Sequence, residues 1–260
     1  MKIQFSKYQA TGNDFVLIDN LSGRYSLSIE QIRNICDRRF GVGADGLMLI
    51  SKHPSASFDL QYYNSDGSQS LCGNGSRAAV KMAASLGLVN GSARFNAFDG
   101  PHEADILNDG SVRLKMNDVS EVKQIGKNYF INTGSPHFVR FVEDVDQYPV
   151  VETGREIRYS DQFAPGGTNV NFVTAGDGNA IHVRTYERGV EDETLSCGTG
   201  VTAAALAASF HNVTSPVYVK TRGGNLQVEF TRKTAGSAAV FQDIFLIGPA
   251  KLVFEGHLEL

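Results

Sequence analysis

Cys72-Gly73-Asn74-Gly75, running into the alanine-rich Ser76 to Leu86, and Cys197-Gly198-Thr199-Gly200, running into Val201 to Phe210, are the stretches that decide the fold. A second pair of strings keeps step with them: Thr11-Gly12-Asn13-Asp14-Phe15 and Thr133-Gly134-Ser135-Pro136-His137-Phe138. The offsets are 134 − 12 = 122 and 197 − 72 = 125, each close to half of a chain of 260 residues. Two markers in the same order at nearly the same offset report one repeat of domain size, so two similar halves are expected.

Val201 to Phe210 is apolar all round, and Ala78, Ala79, Val80, Met82, Ala83, Ala84 and Leu86 are nearly so. That pattern belongs to a helix surrounded by protein, and its small side chains let a curved sheet close around it. A third helix is predicted over Ser28 to Phe40, opened by a capping box of Ser28 and Gln31, with Ile32, Ile35, Cys36 and Phe40 on its buried stripe. Elsewhere short β-branched and aromatic runs alternate with Gly, Asn and Asp turns, among them Phe15 to Ile18, Leu47 to Ile50, Leu60 to Tyr63, Phe138 to Val142 and Ile181 to Tyr186. The expected fold class is α/β (α+β): two pseudo-symmetric halves, each a mostly antiparallel curved sheet wrapped around a central helix, with the active site in the cleft between them. The predicted boundaries are 1–117, carrying Cys72, and 118–249, carrying Cys197, with 250–260 a candidate to rejoin the first half.

Composition narrows the function classes. Net charge is −4 and no block of five or six like charges occurs, so no nucleic-acid partner is expected. The N-terminus has no long apolar run and nowhere do eighteen apolar residues follow one another, which predicts no membrane partner and a cytoplasmic location. Three cysteines, at 36, 72 and 197, suit a reducing compartment rather than a disulfide framework. Cys36 reads as core. With no Cys-x-x-Cys, His-Glu-x-x-His or phosphate-binding loop, neither metal nor nucleotide is expected; Gly41-Val42-Gly43-Ala44-Asp45-Gly46 lacks the spacing and βαβ context of a dinucleotide loop.

A helix N-terminus presents backbone N–H groups and partial positive charge, so it attracts a carboxylate and favours the thiolate of a cysteine placed there. The glycines at 73, 75, 198 and 200 are expected to clear the approach to those N–H groups. Two such thiols on opposite sides of one α-carbon suit stereochemical inversion, with a thiolate as base and a thiol as acid, and the carbanion held by preorganised N–H donors. Two inert buried cysteines, or a redox dithiol, are the other readings of the same residues. Asn13, Asn64 and the stretch Gly166 to Asn171 fall where strands are expected to begin or end. Glu187-Arg188 offers an acceptor for an ammonium and a fork for a carboxylate, and His137 stands beside the second marker.

Taken together, Thr11 to Phe15, Gly43-Ala44-Asp45-Gly46, Asn64-Ser65-Asp66-Gly67, the first tetrad, Gly134-Ser135-Pro136-His137, Glu187-Arg188-Gly189 and the second tetrad resemble the diaminopimelate epimerase family across nearly the whole chain. The resemblance implies a cofactor-independent isomerase interconverting LL- and meso-diaminopimelate for lysine and peptidoglycan synthesis, a small-molecule substrate, two pseudo-symmetric halves and a homodimer. It implies Cys72 and Cys197 as the catalytic thiols, Glu187 and His137 near the reacting centre, and Gly73, Asn74, Gly198 and Thr199 around the reacting carboxylate. Asn13, Asn64, Asn169, Glu187 and Arg188 are implied as further substrate contacts. Racemisation of proline or glutamate on the same scaffold, and amino-acid binding without catalysis, are the alternatives.

Overall fold

A computed structural model describes residues 2–70, 72–235 and 238–259. It divides into two units, residues 1–114 with 248–260, and residues 115–247. In the first unit the chain runs β1 (Lys2–Ala10), β2 (Asn13–Asp19), α1 (Ile29–Cys36), β3 (Gly46–Ser51), β4 (Phe58–Asn64), α2 (Gly73–Ser85), β5 (Ser92–Ala97), β6 (Gly100–Ile106) and β7 (Val112–Lys115). The second unit follows with β8 (Val122–Ile125), β9 (Asn128–Asn132), β10 (Pro136–Phe141), α3 (Val150–Arg158), β11 (Asn169–Ala175), β12 (Ala180–Glu187), β13 (Asp192–Thr194), α4 (Gly198–Ala208), β14 (Val217–Thr221), β15 (Gly224–Ala235) and β16 (Ala238–Gly248). Finally β17 (Lys251–Glu259) lies antiparallel to β1 in the first unit, pairing Lys2 with Glu259.

The repeat is written in the strand pairings. Along β17-β1-β2-β3-β4-β5-β6-β7 the pairs are antiparallel, antiparallel, parallel, antiparallel, parallel, antiparallel and antiparallel. Along β8-β9-β10-β11-β12-β14-β15-β16 the same series recurs. Parallel neighbours need a crossover, and a helix supplies it each time: α1 and α2 in the first unit, α3 and α4 in the second. The sheets are therefore mixed, with the parallel pairs where the helices cross.

Strands covered on both faces read as unbroken apolar runs, which is why β2 and β3 carry Phe15-Val16-Leu17-Ile18 and Leu47-Met48-Leu49-Ile50. Val16 and Ile18 join Ile32, Ile35 and Cys36 of α1 in one cluster. Successive side chains alternate, so Phe15 and Leu17 face the other way, and α2 packs against β1 to β4. In the second unit α3 covers one face, with Val150 among Phe138, Val170, Phe172 and Tyr186, and α4 packs against β9 to β12. Gly154 permits that approach, since a Cβ there would lie 2.4 Å from Tyr186 Cβ. From Val201 to Ala208 every residue of α4 is buried. A helix so enclosed must be built of small residues, as its alanines are.

One sequence expectation needs correction. Helix α1 starts as predicted, with Ser28 capping Gln31 in a capping box, but it stops at Cys36. Asp37 accepts the backbone N–H groups of Arg39 and Phe40, both at 2.7 Å, and the chain turns back so that Val42 donates to the Ile35 carbonyl at 2.9 Å. Phe40 is consequently 92% exposed rather than part of the buried stripe. Gly75 and Gly200 also lie against the sheet. A Cβ on Gly75 would lie 2.9 Å from Met48 Cε, and one on Gly200 would lie 2.4 Å from Asn171 Oδ1. Both glycines thus bring the start of their helix close to the sheet of their own unit. Helix α3 escaped the sequence reading, and Cys36 is core as expected, its thiol pushed up to about 11 by burial.

Candidate active site

Three strand ends and a helix start meet in each unit. In the first, β2 opens at Asn13, β3 opens at Gly46, and β4 ends at Asn64, which pairs with Gly46. Cys72 is the N-cap residue of α2, extended at φ −129° and ψ 107°, and its sulphur accepts the Gly75 N–H at 3.3 Å. The Cys72 thiol donates to Asn13 Oδ1 at 3.6 Å, and Asn74 Nδ2 donates to the same oxygen at 3.3 Å. Asn13 is held with its oxygen turned that way because its Nδ2 donates to the Asp45 carboxylate. Asp45 in turn is bonded to Arg38 at 2.6 Å, and Arg38 to Asp14 at 2.7 Å. Burial opposes charge on Asp14, but hydrogen bonds from Arg38 and Lys7 outweigh it and hold the carboxyl at about 2. Asn64 lies a few residues away in a polar loop, exchanging hydrogen bonds with Ser68 and Ser70.

In the second unit β10 and β11 run parallel with His137 opposite Asn169, while β12 ends at Glu187. Cys197 is the N-cap of α4 at φ −115° and ψ 112°, close to the Cys72 conformation, and is buried. Its sulphur meets Thr199 Oγ1 at 3.5 Å. A chain of hydrogen bonds with a fixed direction stands behind that contact. Asn171 Nδ2 faces the Phe138 carbonyl at 3.3 Å, and its Oδ1 accepts from Thr185 Oγ1 at 2.9 Å, so the amide can sit only one way round. The same Nδ2 lies 3.1 Å from His137 Nδ1, which makes Nδ1 the acceptor and puts the ring proton on Nε2. Nε2 donates to Thr199 Oγ1 at 2.9 Å, and the same oxygen stands within hydrogen-bond reach of the Cys197 sulphur. His137 is fully buried; burial, with the Arg188 charge adding to it, lowers its pKa to about 3. It is a neutral imidazole, linked to Cys197 by way of the Thr199 hydroxyl.

The remaining expected residues are arranged unequally. Asn169 is buried, its Oδ1 accepting the Arg188 N–H at 2.9 Å and its Nδ2 donating to the Pro136 carbonyl at 3.0 Å, so its amide ties three strand ends together. Glu187 accepts from Thr194 Oγ1 at 2.8 Å, and the Arg188 guanidinium donates to the Gly166 carbonyl at 3.2 Å. Gly73 and Gly198 occupy the first position of their helices and are buried. Four residues at the sites went unread in the sequence: Asp45 as the anchor of Asn13, Asn171 and Thr185 behind His137, and Arg77 behind Asn74. Asn171 carried a legible signal, since an amide on a strand buried on both faces needs buried partners. Arg77 carried none, because arginine in a helix ordinarily faces water.

The sequence profile of the diaminopimelate epimerase family matches residues 5–122 and 129–253. A diaminopimelate epimerase of Flavobacterium psychrophilum is 46% identical over 257 residues, covering 96% of this chain and 97% of the relative. Among solved structures, a PhzF-family phenazine biosynthesis protein of Bacillus anthracis superposes with a TM-score of 0.77 at 14% identity, each chain covered in full. A hydroxyproline epimerase of Agrobacterium vitis, with bound trans-4-hydroxy-L-proline, gives 0.71 at 15% identity, covering 99% of this chain and 92% of that one. At such identities these two structures speak to the fold, which they share.

Proposed function

The chain belongs to the diaminopimelate epimerase family, and on that premise we propose that it interconverts LL- and meso-diaminopimelate, one cysteine of the pair Cys72 and Cys197 removing the α-proton and the other returning a proton of its own to the opposite face. The observation that carries the reading is that each repeat presents a cysteine as the N-cap of its enclosed helix, in nearly the same backbone conformation. An α-proton of an amino acid leaves only if the charge on carbon is stabilised as it forms. First-turn N–H groups, which a helix does not satisfy internally, are directed at the bound carboxylate and serve that purpose without reorganising. Gly73, Asn74, Gly198 and Thr199 are the residues that offer them.

The hydrogen-bond directions support a division of labour. Cys72 donates to an oxygen, Asn13 Oδ1, so it is the sulphur that carries the proton. His137 already donates to Thr199 Oγ1, and with the Thr199 hydrogen turned toward Cys197 the thiolate of that cysteine is favoured. In the forward step the Cys197 thiolate takes the α-proton, forming S–H as the C–H bond breaks. Cys72 delivers its own proton to the opposite face and is left as thiolate. The reverse reaction exchanges the roles. Both sulphurs must reach one α-carbon for this scheme to operate. Asn13, Asn64 and Arg188 are read as contacts to the substrate's distal end, and Glu187 as a partner of the reacting amino group.

The carbanion is stabilised by N–H donors in this scheme, so no electron-sink cofactor enters it. The enzyme is further read as a cytoplasmic homodimer, and the half-exposed Leu252, Val253 and Phe254 on β17 are the apolar surface that supports a second copy. Incubation with LL-diaminopimelate in deuterated water tests the proposal. The epimerised product should carry one deuterium at its α-carbon, and replacing either cysteine by alanine should lower turnover at least about a hundredfold. Unlabelled product, or label gained equally by proline and glutamate in a substrate panel, would remove it.

A further inference from the structure

Five positions after each catalytic-tetrad cysteine, the two helices turn a polar side chain inward. In α4 it is Thr202, wholly buried, whose hydroxyl donates to the Gly198 carbonyl at 3.0 Å. In α2 it is Arg77, also wholly buried, whose Nη1 donates to the equivalent Gly73 carbonyl at 3.4 Å. A neutral hydroxyl thus meets the structural need in one repeat, and the other spends a buried cation there. Among the described residues no carboxylate pairs with that guanidinium, and its Nε has no hydrogen-bond partner. Burying an arginine without a counter-charge is strongly unfavourable, so the charge itself calls for a purpose.

Its contacts supply one. Arg77 Nη2 donates to Asn74 Oδ1 at 3.0 Å and to Thr11 Oγ1 at 3.5 Å. Arginine only donates, so Asn74 must turn its oxygen inward and its Nδ2 outward, toward Asn13 Oδ1 and the Cys72 sulphur beyond. The other charges nearby, Lys7, Asp14, Arg38 and Asp45, lie on the far side of Asn13 and are paired with one another. Burial lowers the Arg77 pKa to about 10, and charge on Cys72 acts to raise it.

We propose that Arg77 is a positioning residue for Cys72: it fixes the Asn74 amide against Asn13 and supplies the buried positive charge against which the Cys72 sulphur becomes a thiolate. The inference rests on the two-thiol reading above. Cys197, with Thr202 in the matching place, depends instead on Thr199 and His137. The two thiols are therefore tuned by different means and can be perturbed separately.

Alkylation by iodoacetamide at neutral pH, followed cysteine by cysteine through peptide mass spectrometry, reads the effect without substrate. In Arg77→Gln the Cys72 rate should fall about tenfold or more while Cys197 stays within about twofold, and Arg77→Lys should restore most of the loss. The kcat should fall with the Cys72 rate, and KM should change less than about threefold. Asn74→Asp sets a carboxylate against the guanidinium and should slow Cys72 alkylation to a similar degree, which decides the matter if Arg77→Gln does not fold. Unchanged Cys72 reactivity in the folded variants, or equal loss in the lysine and glutamine variants, overturns the proposal. Normal Cys72 tuning in a wild-type protein that incorporates no deuterium would instead remove the epimerase reading and leave the role of Arg77 standing.

Discussion

Acidification from pH 7 to pH 5 should cost this protein about 2 kcal/mol of folding stability through His137 alone. The imidazole is wholly buried, and burial with the nearby Arg188 charge lowers its pKa to about 3, against about 6.5 in an unfolded chain. Above pH 6.5 neither state holds the proton. Below it the unfolded chain binds a proton that the folded protein refuses, so stability is lost as pH falls, by about 1.4 kcal/mol per unit until pH 3. Between pH 7 and pH 5 roughly one and a half of those units are traversed, which gives the figure of about 2 kcal/mol. Urea unfolding of the wild type and of His137→Gln at both pH values is the assay. Glutamine can still accept from Asn171 and donate to Thr199, but it does not titrate, so its loss on acidification should be smaller by about 2 kcal/mol. All other titrating groups cancel in that difference. Equal losses in the two proteins would mean that His137 takes up a proton inside the fold, and the neutral imidazole behind Thr199 would have to be abandoned.

Thr199→Val removes the hydroxyl between His137 and Cys197 while keeping the side chain's shape and its backbone N–H; kcat should fall about a hundredfold with KM little changed, whereas a KM effect alone would make the hydroxyl a binding group rather than a link to Cys197. Gly200→Ala drives a methyl to within 2.4 Å of Asn171 Oδ1 and should lower stability by about 1–3 kcal/mol in thermal or urea unfolding. Gly166→Ala, where a Cβ meets nothing within 4 Å, is its control and should change stability by less than about 0.5 kcal/mol.

The fold was legible where local chemistry and burial agree. Ser28 announced α1 through its capping box, and the alanines of α2 and α4 announced helices enclosed over most of their length. The strings Asn13, His137, Asn169 and Glu187 marked strand ends. What failed to show were features settled by contacts distant in sequence. Phe40 belongs to the periodic stripe of α1, but Asp37 captures the next N–H groups and ends the helix before the stripe is complete. In α3, Gly154 argued locally against a helix, and only the Tyr186 side chain explains it. Gly75 and Gly200 also lie against Met48 and Asn171, contacts that the tetrads themselves do not disclose. Arg77 was invisible for the same reason: nothing within its own segment distinguishes it from a solvated arginine.

The return of β17 to the side of β1 sets an order of assembly during translation. Everything that builds the second unit lies between residues 115 and 247 and leaves the ribosome in one uninterrupted stretch. The first unit, although most of it is synthesised earlier, has to keep the flank of its leading strand uncovered until residues 251–259 emerge. The half of the molecule made first is thus the half finished last, and a stalled or truncated nascent chain would hold a complete Cys197 unit and a Cys72 unit still lacking β17.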